Sequence, residues 1–297
     1  MGGSWAATGD EASKFARFHF RPHFFQHAGL RMVSSVHAAM PSPAVRLSKE
    51  ALSAAAAPPT TQASAVGYES DKLLSEYMML HFGTSDDVLP FEAVPREWLG
   101  FPQRCAQLVE RWAGKLGLPR GRALDIGCAV GGSTFELGRT YESVVGVDLS
   151  ATFIEAAQRL QVEGSAPYFR RDQGVLGESC AASIGEAPSG HVAFERADAC
   201  DLPHELGQFD ACLLANLLCR LPSPKSCLVR LGGEAGLVKP GGLAVVVSPY
   251  TWMEEHTPKE TVRGTAATGC ADLLLTALLA AISRRSLFLL SPALLPS

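Results

Sequence analysis

The sequence lacks two features that would assign it to other classes of protein. It has no apolar run of about 18 residues or more, the length that a membrane-spanning helix needs, and the nearest candidate, Leu273 to Ile282, runs into Arg284 and Arg285. It has no excess of positive charge, because 26 basic residues stand against 30 acidic ones. Nucleic acid is therefore not an expected partner.

Cysteine spacing excludes a further class of site. The eight cysteines are scattered, and no two of them have the C-x-x-C spacing of a zinc or dithiol redox site. We therefore expect no bound metal, and free thiols in a reducing compartment. With 47% hydrophobic and 19% charged residues, the chain has enough apolar material for a packed interior and too little charge for wholesale disorder.

Composition divides the chain into three parts. Residues 1–66 are rich in Ala, Ser, Pro and His, and this composition is typical either of a disordered N-terminal extension or of an organelle transit peptide. We therefore expect a cytoplasmic protein, or a mitochondrial or plastid one if this segment is a transit peptide. Residues 67–260 have the pattern of one folded domain, and residues 261–297 form a Leu-rich tail.

Hydrophobic periodicity in the middle part predicts an α/β fold. Two helices are expected first, over residues 71–81 and 104–116, followed by short apolar runs that alternate with helical stretches. Such alternation is typical of a Rossmann-like, mostly parallel sheet with helices on both faces. Residues 163–190, rich in Gly, Ser and Ala, are interpreted as a long loop. The predicted strands are 123–126, 144–147, 192–194, 209–214 and 243–247, and the intervening helices are 133–139, 152–161 and 225–231.

The first predicted strand leads into a glycine-rich turn, Asp125-Ile-Gly-Cys-Ala-Val-Gly131. A turn of this kind between a strand and a helix lets the backbone approach a ligand closely, and we assign Gly127, Ala129 and Gly131 to that role. Asp125 ends the strand, where a carboxylate would repel a pyrophosphate but suits the ammonium and sulfonium groups of S-adenosylmethionine. A capping or turn role for Asp125 is the alternative.

Polar residues at the ends of the following strands extend the predicted cofactor site. Asp148 follows the turn at the spacing from which a carboxylate accepts hydrogen bonds from ribose hydroxyls, or it caps the next helix. Asp198 and the backbone N–H of Ala199 are candidates for the adenine edge, or simply for a polar turn. Asn216, after the fourth predicted strand, is expected to reach both the cofactor and the reacting centre.

Five segments together resemble the methyltransferase domain of the ovothiol pathway, the 4-mercaptohistidine ring-nitrogen methyltransferases. The resemblance covers roughly residues 68–260, and the two last segments are its most distinctive part. The segments are Tyr68-Glu-Ser-Asp-Lys-Leu-Leu-Ser-Glu-Tyr77, Asp125-Ile-Gly-Cys-Ala-Val-Gly131, Asp198-Ala-Cys200, Ala215-Asn-Leu-Leu-Cys-Arg-Leu-Pro222 and Ser248-Pro-Tyr-Thr-Trp-Met-Glu-Glu255.

The resemblance implies methyl transfer from S-adenosyl-L-methionine to an imidazole nitrogen of a thiol-bearing histidine, an amino-acid-like small molecule. A sulfoxide synthase region, which precedes the methyltransferase in bifunctional relatives, is not in this sequence. We therefore expect catalysis of the methylation step alone, and association with a separate sulfoxide synthase. A final pair of antiparallel strands is not evident beyond residue 260, so we expect reduced stability or inactivity unless the tail or another chain covers the sheet edge.

Acceptor-site residues are expected at the ends of the later strands. Arg220 is a candidate partner for a substrate carboxylate, with Tyr77 and His256 as further substrate-binding residues. Tyr250 and Glu254 join Asn216 as candidate catalytic residues, Tyr250 by stacking on the acceptor ring and Glu254 as a base. The alternatives are a surface charge for Arg220, a core aromatic for Tyr250 and a solvated helix start for Glu254.

Three other functions stay open on the sequence alone. One is methylation of a different small acceptor. The second is a nicotinamide-dependent oxidoreductase, although Ala129 stands where the fingerprint G-x-G-x-x-G requires its second glycine. The third is a truncated, non-catalytic relative. Binding of S-adenosylmethionine, of NAD or of neither would separate a methyltransferase, an oxidoreductase and a non-catalytic protein.

Overall fold

The computed structural model describes residues 68–88, 96, 99–232, 236–248, 254–257 and 287–291. Within them the helices α1 to α6 are Asp71–Phe82, Ser85–Val88, Phe101–Lys115, Gly132–Leu137, Ala151–Glu163 and Pro224–Leu231. The strands β1 to β8 are Arg122–Ile126, Ser143–Asp148, Ser165–Gln173, Leu176–Ser183, His191–Arg196, Phe209–Ala215, Val238–Val247 and Leu287–Ser291.

Six strands form one sheet in the order β5-β2-β1-β6-β7-β8, and every neighbouring pair in it is parallel. The order reverses between β1 and β6, which creates the crevice where doubly wound sheets bind their ligands. The predicted Rossmann-like class is therefore confirmed. All five predicted strands are present, each within a few residues of its expected bounds except β7, which begins earlier, at Val238.

Helices cover both faces of the sheet. On one face α3 packs in a core with alternate residues of β1, β2, β6 and β7, among them Ala123, Val144 and Leu213. On the other face α6 packs against the residues in between, such as Leu124 and Ile126. Because both faces are buried, these strands appear in the sequence as continuous apolar runs.

Local signals explain where the helices that border the crevice begin. Ser70 caps α1 by accepting a hydrogen bond from the Leu73 N–H, and Ser150 caps α5 by accepting one from the Phe153 N–H. Helix α5 ends at Gly164, whose φ of 72° is the left-handed conformation favoured at a helix C-terminus. The predicted helices at 71–81, 152–161 and 225–231 all agree with the structure to within two residues.

The prediction of a loop over residues 163–190 is wrong for most of this range. Strands β3 and β4 form a separate antiparallel hairpin there, paired from Ser165 with Ser183 to Gln173 with Leu176. Most of its side chains are exposed, and Ala166, Tyr168 and Ala182 are its buried apolar residues. A hairpin with so little apolar surface has no hydrophobic run, so its composition resembled that of a loop.

Strand β8 pairs in parallel with β7, from Leu243 with Leu287 to Val247 with Ser291. The edge that the sequence left without a predicted partner is therefore covered by a strand from the Leu-rich tail. In the described part of the chain this cover is a single parallel strand rather than an antiparallel hairpin.

Several sequence-based expectations fall outside the described residues: the N-terminal extension over 1–66, most of the tail over 261–297, and Tyr250. Among the described helices, none combines the length and hydropathy needed to cross a bilayer.

Candidate active site

The carboxyl ends of β1, β2, β5 and β6 lie side by side at one edge of the sheet, because these strands are parallel neighbours. This edge brings together all eight residues predicted to bind the cofactor. They are Asp125, Gly127, Ala129, Gly131, Asp148, Asp198, Ala199 and Asn216.

The turn after β1 is held in an unusual backbone conformation. Gly127 and Gly131 have φ values of 76° and 90°, and Ala129 has a φ of 48°, which is uncommon for a residue with a side chain. The N–H groups of Gly127 and Cys128 both donate to the Val147 carbonyl, at 2.8 and 3.0 Å. The turn is therefore fastened to the end of β2.

Asp148 ties the two strand ends together through its carboxylate. One oxygen accepts the Ala129 N–H and the other accepts the Ser150 N–H, both at 2.9 Å. Burial raises the pKa of Asp148, while these two backbone donors act in the opposite direction. Each carboxylate oxygen retains acceptor capacity beyond one hydrogen bond, so this geometry is compatible with both alternatives, ligand binding and local capping.

Asp125 lies deeper, with 1% of its surface exposed. Its Oδ2 accepts a hydrogen bond of 2.7 Å from the Thr134 hydroxyl of α4. Burial raises its pKa from 3.8 to about 7, although the Thr134 bond lowers it. The carboxyl is thus poised to change charge near neutral pH, and its contact with a cofactor ammonium stays a prediction.

The turn after β5 holds the two residues predicted at the adenine. Asp198 is exposed, and its Oδ1 accepts the Cys200 N–H at 2.8 Å, which makes a local turn. Ala199 is buried in the core on the α6 face of the sheet. The structure therefore places both residues at the expected edge, and their roles stay predictions.

Asn216, directly after β6, is exposed and has a φ of 55°. Its N–H donates to the Val247 carbonyl at 2.8 Å, which fixes this unfavourable conformation. The next residue, Leu217, covers the glycine turn so closely that a Cβ on Gly127 would lie 2.8 Å from its Cδ1. Strained backbone of this kind is concentrated at functional sites.

Arg220 follows in a short 3-10 helix, Leu218–Arg220. Its guanidinium hydrogen-bonds the phenol of Tyr68, and its charge also acts on Tyr77 of α1. Burial raises the pKa of both tyrosines, and the arginine partly opposes this effect. The charge of Asp148 acts on both phenols as well, so cofactor and acceptor candidates form one electrostatic cluster.

The turn 254–256 adds a histidine to this cluster. Burial lowers the pKa of His256, and the positive charge of Arg220 lowers it further, whereas Glu255 raises it. The neutral form of His256 is thereby favoured next to the arginine. Glu254 lies in the same turn and is exposed, and its expected role as a base stays a prediction.

Residues 124–246 match the family model described as a methyltransferase domain. The match covers less than half of the chain and shows the likeness of this part to methyltransferase domains. S-adenosyl-L-methionine is the cofactor of the domain.

A comparison of this chain with curated proteins found no match. Solved structures do match. The YcgJ protein from Bacillus subtilis is 17% identical, with 47% of each chain covered and a TM-score of 0.33. The [4+2]-cyclase SpnF is 21% identical over 75% of this chain and 72% of its own, with a TM-score of 0.46.

A third structure is the magnesium protoporphyrin IX methyltransferase ChlM from Synechocystis PCC 6803 with bound SAH, 17% identical over 57% of this chain and 65% of its own, TM-score 0.39. The chain therefore spans about half of the YcgJ chain and under two thirds of the ChlM chain.

The residues at this edge of the sheet fit an adenosyl cofactor. The cradle at Gly127 has no room for a Cβ beneath Leu217, and the turn itself is fixed by the carboxylate of Asp148. A buried, ionisable Asp125 stands behind the turn. In the described residues, no group of three His, Cys, Asp or Glu side chains is arranged to hold a metal ion.

Two residues at this site received no role from the sequence. Tyr68 lies within a quoted motif, but its contact with Arg220 spans separate elements and has no local signal. His81 appears as an ordinary apolar-face residue of α1, yet its Nδ1 accepts the Gly132 N–H at 3.0 Å. Its position one helical turn after Tyr77 was the available signal, because residues four apart share a helix face.

Proposed function

We propose that this chain transfers a methyl group from S-adenosyl-L-methionine to an imidazole nitrogen of a thiol-bearing histidine, as in ovothiol biosynthesis. The observation that carries the proposal is the single cluster at the sheet edge, where the charges of Asp148 and Arg220 both act on the phenols of Tyr68 and Tyr77, whose ring centroids lie 6.4 Å apart. We also propose that this chain associates with a separate sulfoxide synthase.

In this proposal the cofactor is held by backbone and carboxylate groups. Gly127, Ala129 and Gly131 allow close approach, and Asp148 accepts hydrogen bonds from the ribose. Asp125 lies toward the amino-acid end, and Asp198 with Ala199 toward the base. Their position at the carboxyl edge of parallel strands, on either side of the topological switch, supports these roles.

Arg220 is the proposed partner for the carboxylate of the acceptor. Its guanidinium is already oriented by the Tyr68 phenol and by hydrogen bonds to the Cys219 carbonyl and Sγ, at 3.3 and 3.5 Å. A guanidinium group that is already held in place loses less conformational entropy on pairing with a carboxylate than a mobile guanidinium does. An amino-acid acceptor is therefore the chemistry that this position favours.

When bound, S-adenosyl-L-methionine supplies an activated methyl group, and the protein's task is mainly to orient the acceptor. Positioning of two reactants contributes on the order of 7–11 kcal/mol in well-oriented systems. A neutral imidazole nitrogen already carries a lone pair, so deprotonation before transfer is not required. Asn216 is proposed to orient the acceptor ring, and Tyr250 to stack on that ring. Glu254 or His256 is proposed to accept the proton that the ring loses after methylation.

The decisive experiment is incubation of the chain with 4-mercaptohistidine and methyl-labelled S-adenosyl-L-methionine, followed by mass spectrometry of the small-molecule fraction. We expect a labelled product one methyl group heavier. Histidine without the thiol, in parallel, tests the acceptor. Methylation of histidine alone would favour a different acceptor.

Calorimetric titration with S-adenosyl-L-methionine and with NAD separates the remaining alternatives. We expect binding of the first and none of the second. Binding of NAD alone would favour an oxidoreductase, and binding of neither would favour a non-catalytic relative.

Replacing Arg220 by alanine is expected to raise the KM for the acceptor roughly 10- to 100-fold, because a charge-assisted hydrogen bond to a carboxylate is lost. The Kd of the cofactor should change by less than about threefold. Arg220→Lys keeps the charge without the fork and should lie in between. Steady-state kinetics and calorimetry measure the two constants.

Arg159→Ala is the matched control, since this arginine is exposed on α5 and pairs with Glu163 of the same helix. It should leave both constants unchanged. Equal losses of acceptor and cofactor binding in Arg220→Ala would rule out a specific carboxylate contact.

A further inference from the structure

We infer that His81 is a positioning residue of the cofactor site, which holds helix α1 onto the glycine turn through the backbone N–H of Gly132. The inference rests on the proposed function, because it assigns His81 a role in cofactor binding without contact to the cofactor. Three features of the structure carry it.

The first feature is the hydrogen bond itself. Nδ1 of His81 accepts the Gly132 N–H at 3.0 Å, across 51 positions of the chain. Gly132 is the first residue of α4, and its N-cap, Gly131, has no side chain to offer. A helix leaves its first N–H groups without internal partners, so the histidine supplies from α1 the acceptor that the local sequence lacks.

The second feature is the close packing around this contact. His81 is buried, and a Cβ on Gly132 would lie 2.6 Å from Nδ1. The bond requires the neutral ring with its proton on Nε2, and burial lowers the pKa of His81 to about 3. The acceptor form is therefore maintained at neutral pH.

The third feature is what α1 presents to the site. The Tyr77 ring packs against the His81 ring at a centroid distance of 5.9 Å and against Phe153 at 4.7 Å. At its other end α1 is preceded by Glu69, whose carboxylate accepts the Ala151 and Thr152 N–H groups. The helix is thus attached at both ends, to α5 through Glu69 and to the glycine turn through His81.

Loss of the His81 contact would release the turn on one side and Tyr77 on the other. Since Asp148 and Arg220 both act electrostatically on Tyr77, the cofactor and acceptor parts of the site would loosen together. Precise placement of these groups matters, because small displacements are costly in binding and catalysis.

The test compares His81→Leu, which removes the acceptor, with His81→Asn, whose amide oxygen can accept the Gly132 N–H. We expect the Kd for S-adenosylhomocysteine to rise roughly tenfold in His81→Leu, equivalent to about 1.4 kcal/mol. His81→Asn should remain within about threefold of the unmodified chain. His204→Leu, at an exposed histidine, is the matched control and should bind normally.

Amide hydrogen exchange provides a readout that does not need the cofactor. The Gly132 N–H should exchange faster in His81→Leu and stay protected in His81→Asn. The Phe135 N–H, which donates to the Gly131 carbonyl at 2.9 Å, should be unchanged in both. Thermal unfolding confirms that each variant is folded.

Three outcomes would overturn the inference: unchanged Gly132 exchange in His81→Leu, unchanged affinity despite faster exchange, or equal losses of affinity in the leucine and asparagine variants. Failure of the unmodified chain to bind S-adenosylhomocysteine would instead contradict the proposed function. Gly132 exchange would then still decide whether His81 fastens the turn.

Discussion

Gly131→Ala is expected to lower the free energy of unfolding by about 3 kcal/mol and the Tm by roughly 5–10 °C. At its φ of 90° an alanine is strained in the left-handed region. Its Cβ would also lie 2.7 Å from Cε1 and Cζ of the Phe194 ring, which is itself packed against Phe135. Urea denaturation and scanning calorimetry measure the two quantities.

Gly164→Ala separates the two causes. Gly164 has a comparable φ of 72°, but nothing lies within 4 Å of the position its Cβ would take. This variant should therefore show the backbone strain alone, about 1 kcal/mol. If both variants lose the same stability, the close packing of Phe194 on the turn has no energetic weight.

The affinity for S-adenosylhomocysteine is expected to rise roughly tenfold per pH unit up to about pH 7 and to level off above it. Burial raises the pKa of Asp125 from 3.8 to about 7, so the carboxyl of the free protein is neutral below that pH. A ligand ammonium favours the ionised carboxylate, so binding must release the proton. Calorimetry in buffers of different ionisation enthalpy measures this release directly.

Asp125→Asn keeps an acceptor for the Thr134 hydroxyl but cannot titrate, so its affinity should be flat over the same range. The same pair of proteins gives a stability test. A raised folded pKa means that the stability contributed by protonated Asp125 is present below about pH 4 and lost as the pH rises to about 7. Relative to the unmodified chain, Asp125→Asn should thus gain stability across this window.

The comparison between the two proteins is necessary because the titration of His81 changes the stability of the fold with pH in the opposite direction. Burial lowers its pKa to about 3, so its contribution is lost as the pH falls below about 6.5. The two slopes oppose each other in the unmodified chain, and the difference between variants removes the histidine. An affinity independent of pH, without proton release, would contradict a contact between Asp125 and the ammonium.

The central sheet could be predicted from the sequence because a parallel strand buried on both faces leaves an unbroken apolar run. Residues 209–215, of which all but the last are buried, are the clearest case. The hairpin of β3 and β4 could not be predicted, since a strand such as Ser165–Gln173 is mostly exposed and its apolar alternation ends after Tyr168. Pairing of Leu287–Ser291 with β7 depends on a long-range contact that no local pattern encodes.

The candidate site was partly predictable for a related reason. Asp125, Asp148 and Asn216 each follow an apolar run, and parallel register brings such positions to one edge. The contacts of Tyr68 and His81 arise from the docking of α1, across 51 positions for His81, and periodicity along one helix cannot indicate what the helix docks against. The left-handed conformations of Ala129 and Asn216 were also missed, because neither residue is a glycine.

The position of β8 in the chain has a consequence for how the protein is made. Every described residue that the proposed chemistry uses precedes β8 in the chain. The other five strands of the sheet, β5, β2, β1, β6 and β7, can therefore assemble before β8 has left the ribosome. During that interval one edge of β7 has unpaired backbone N–H and C=O groups. They lie next to the side chains of residues 243–247, which are buried in the folded protein. The newly synthesised chain should then depend most on chaperones and be most prone to pair with another copy of itself.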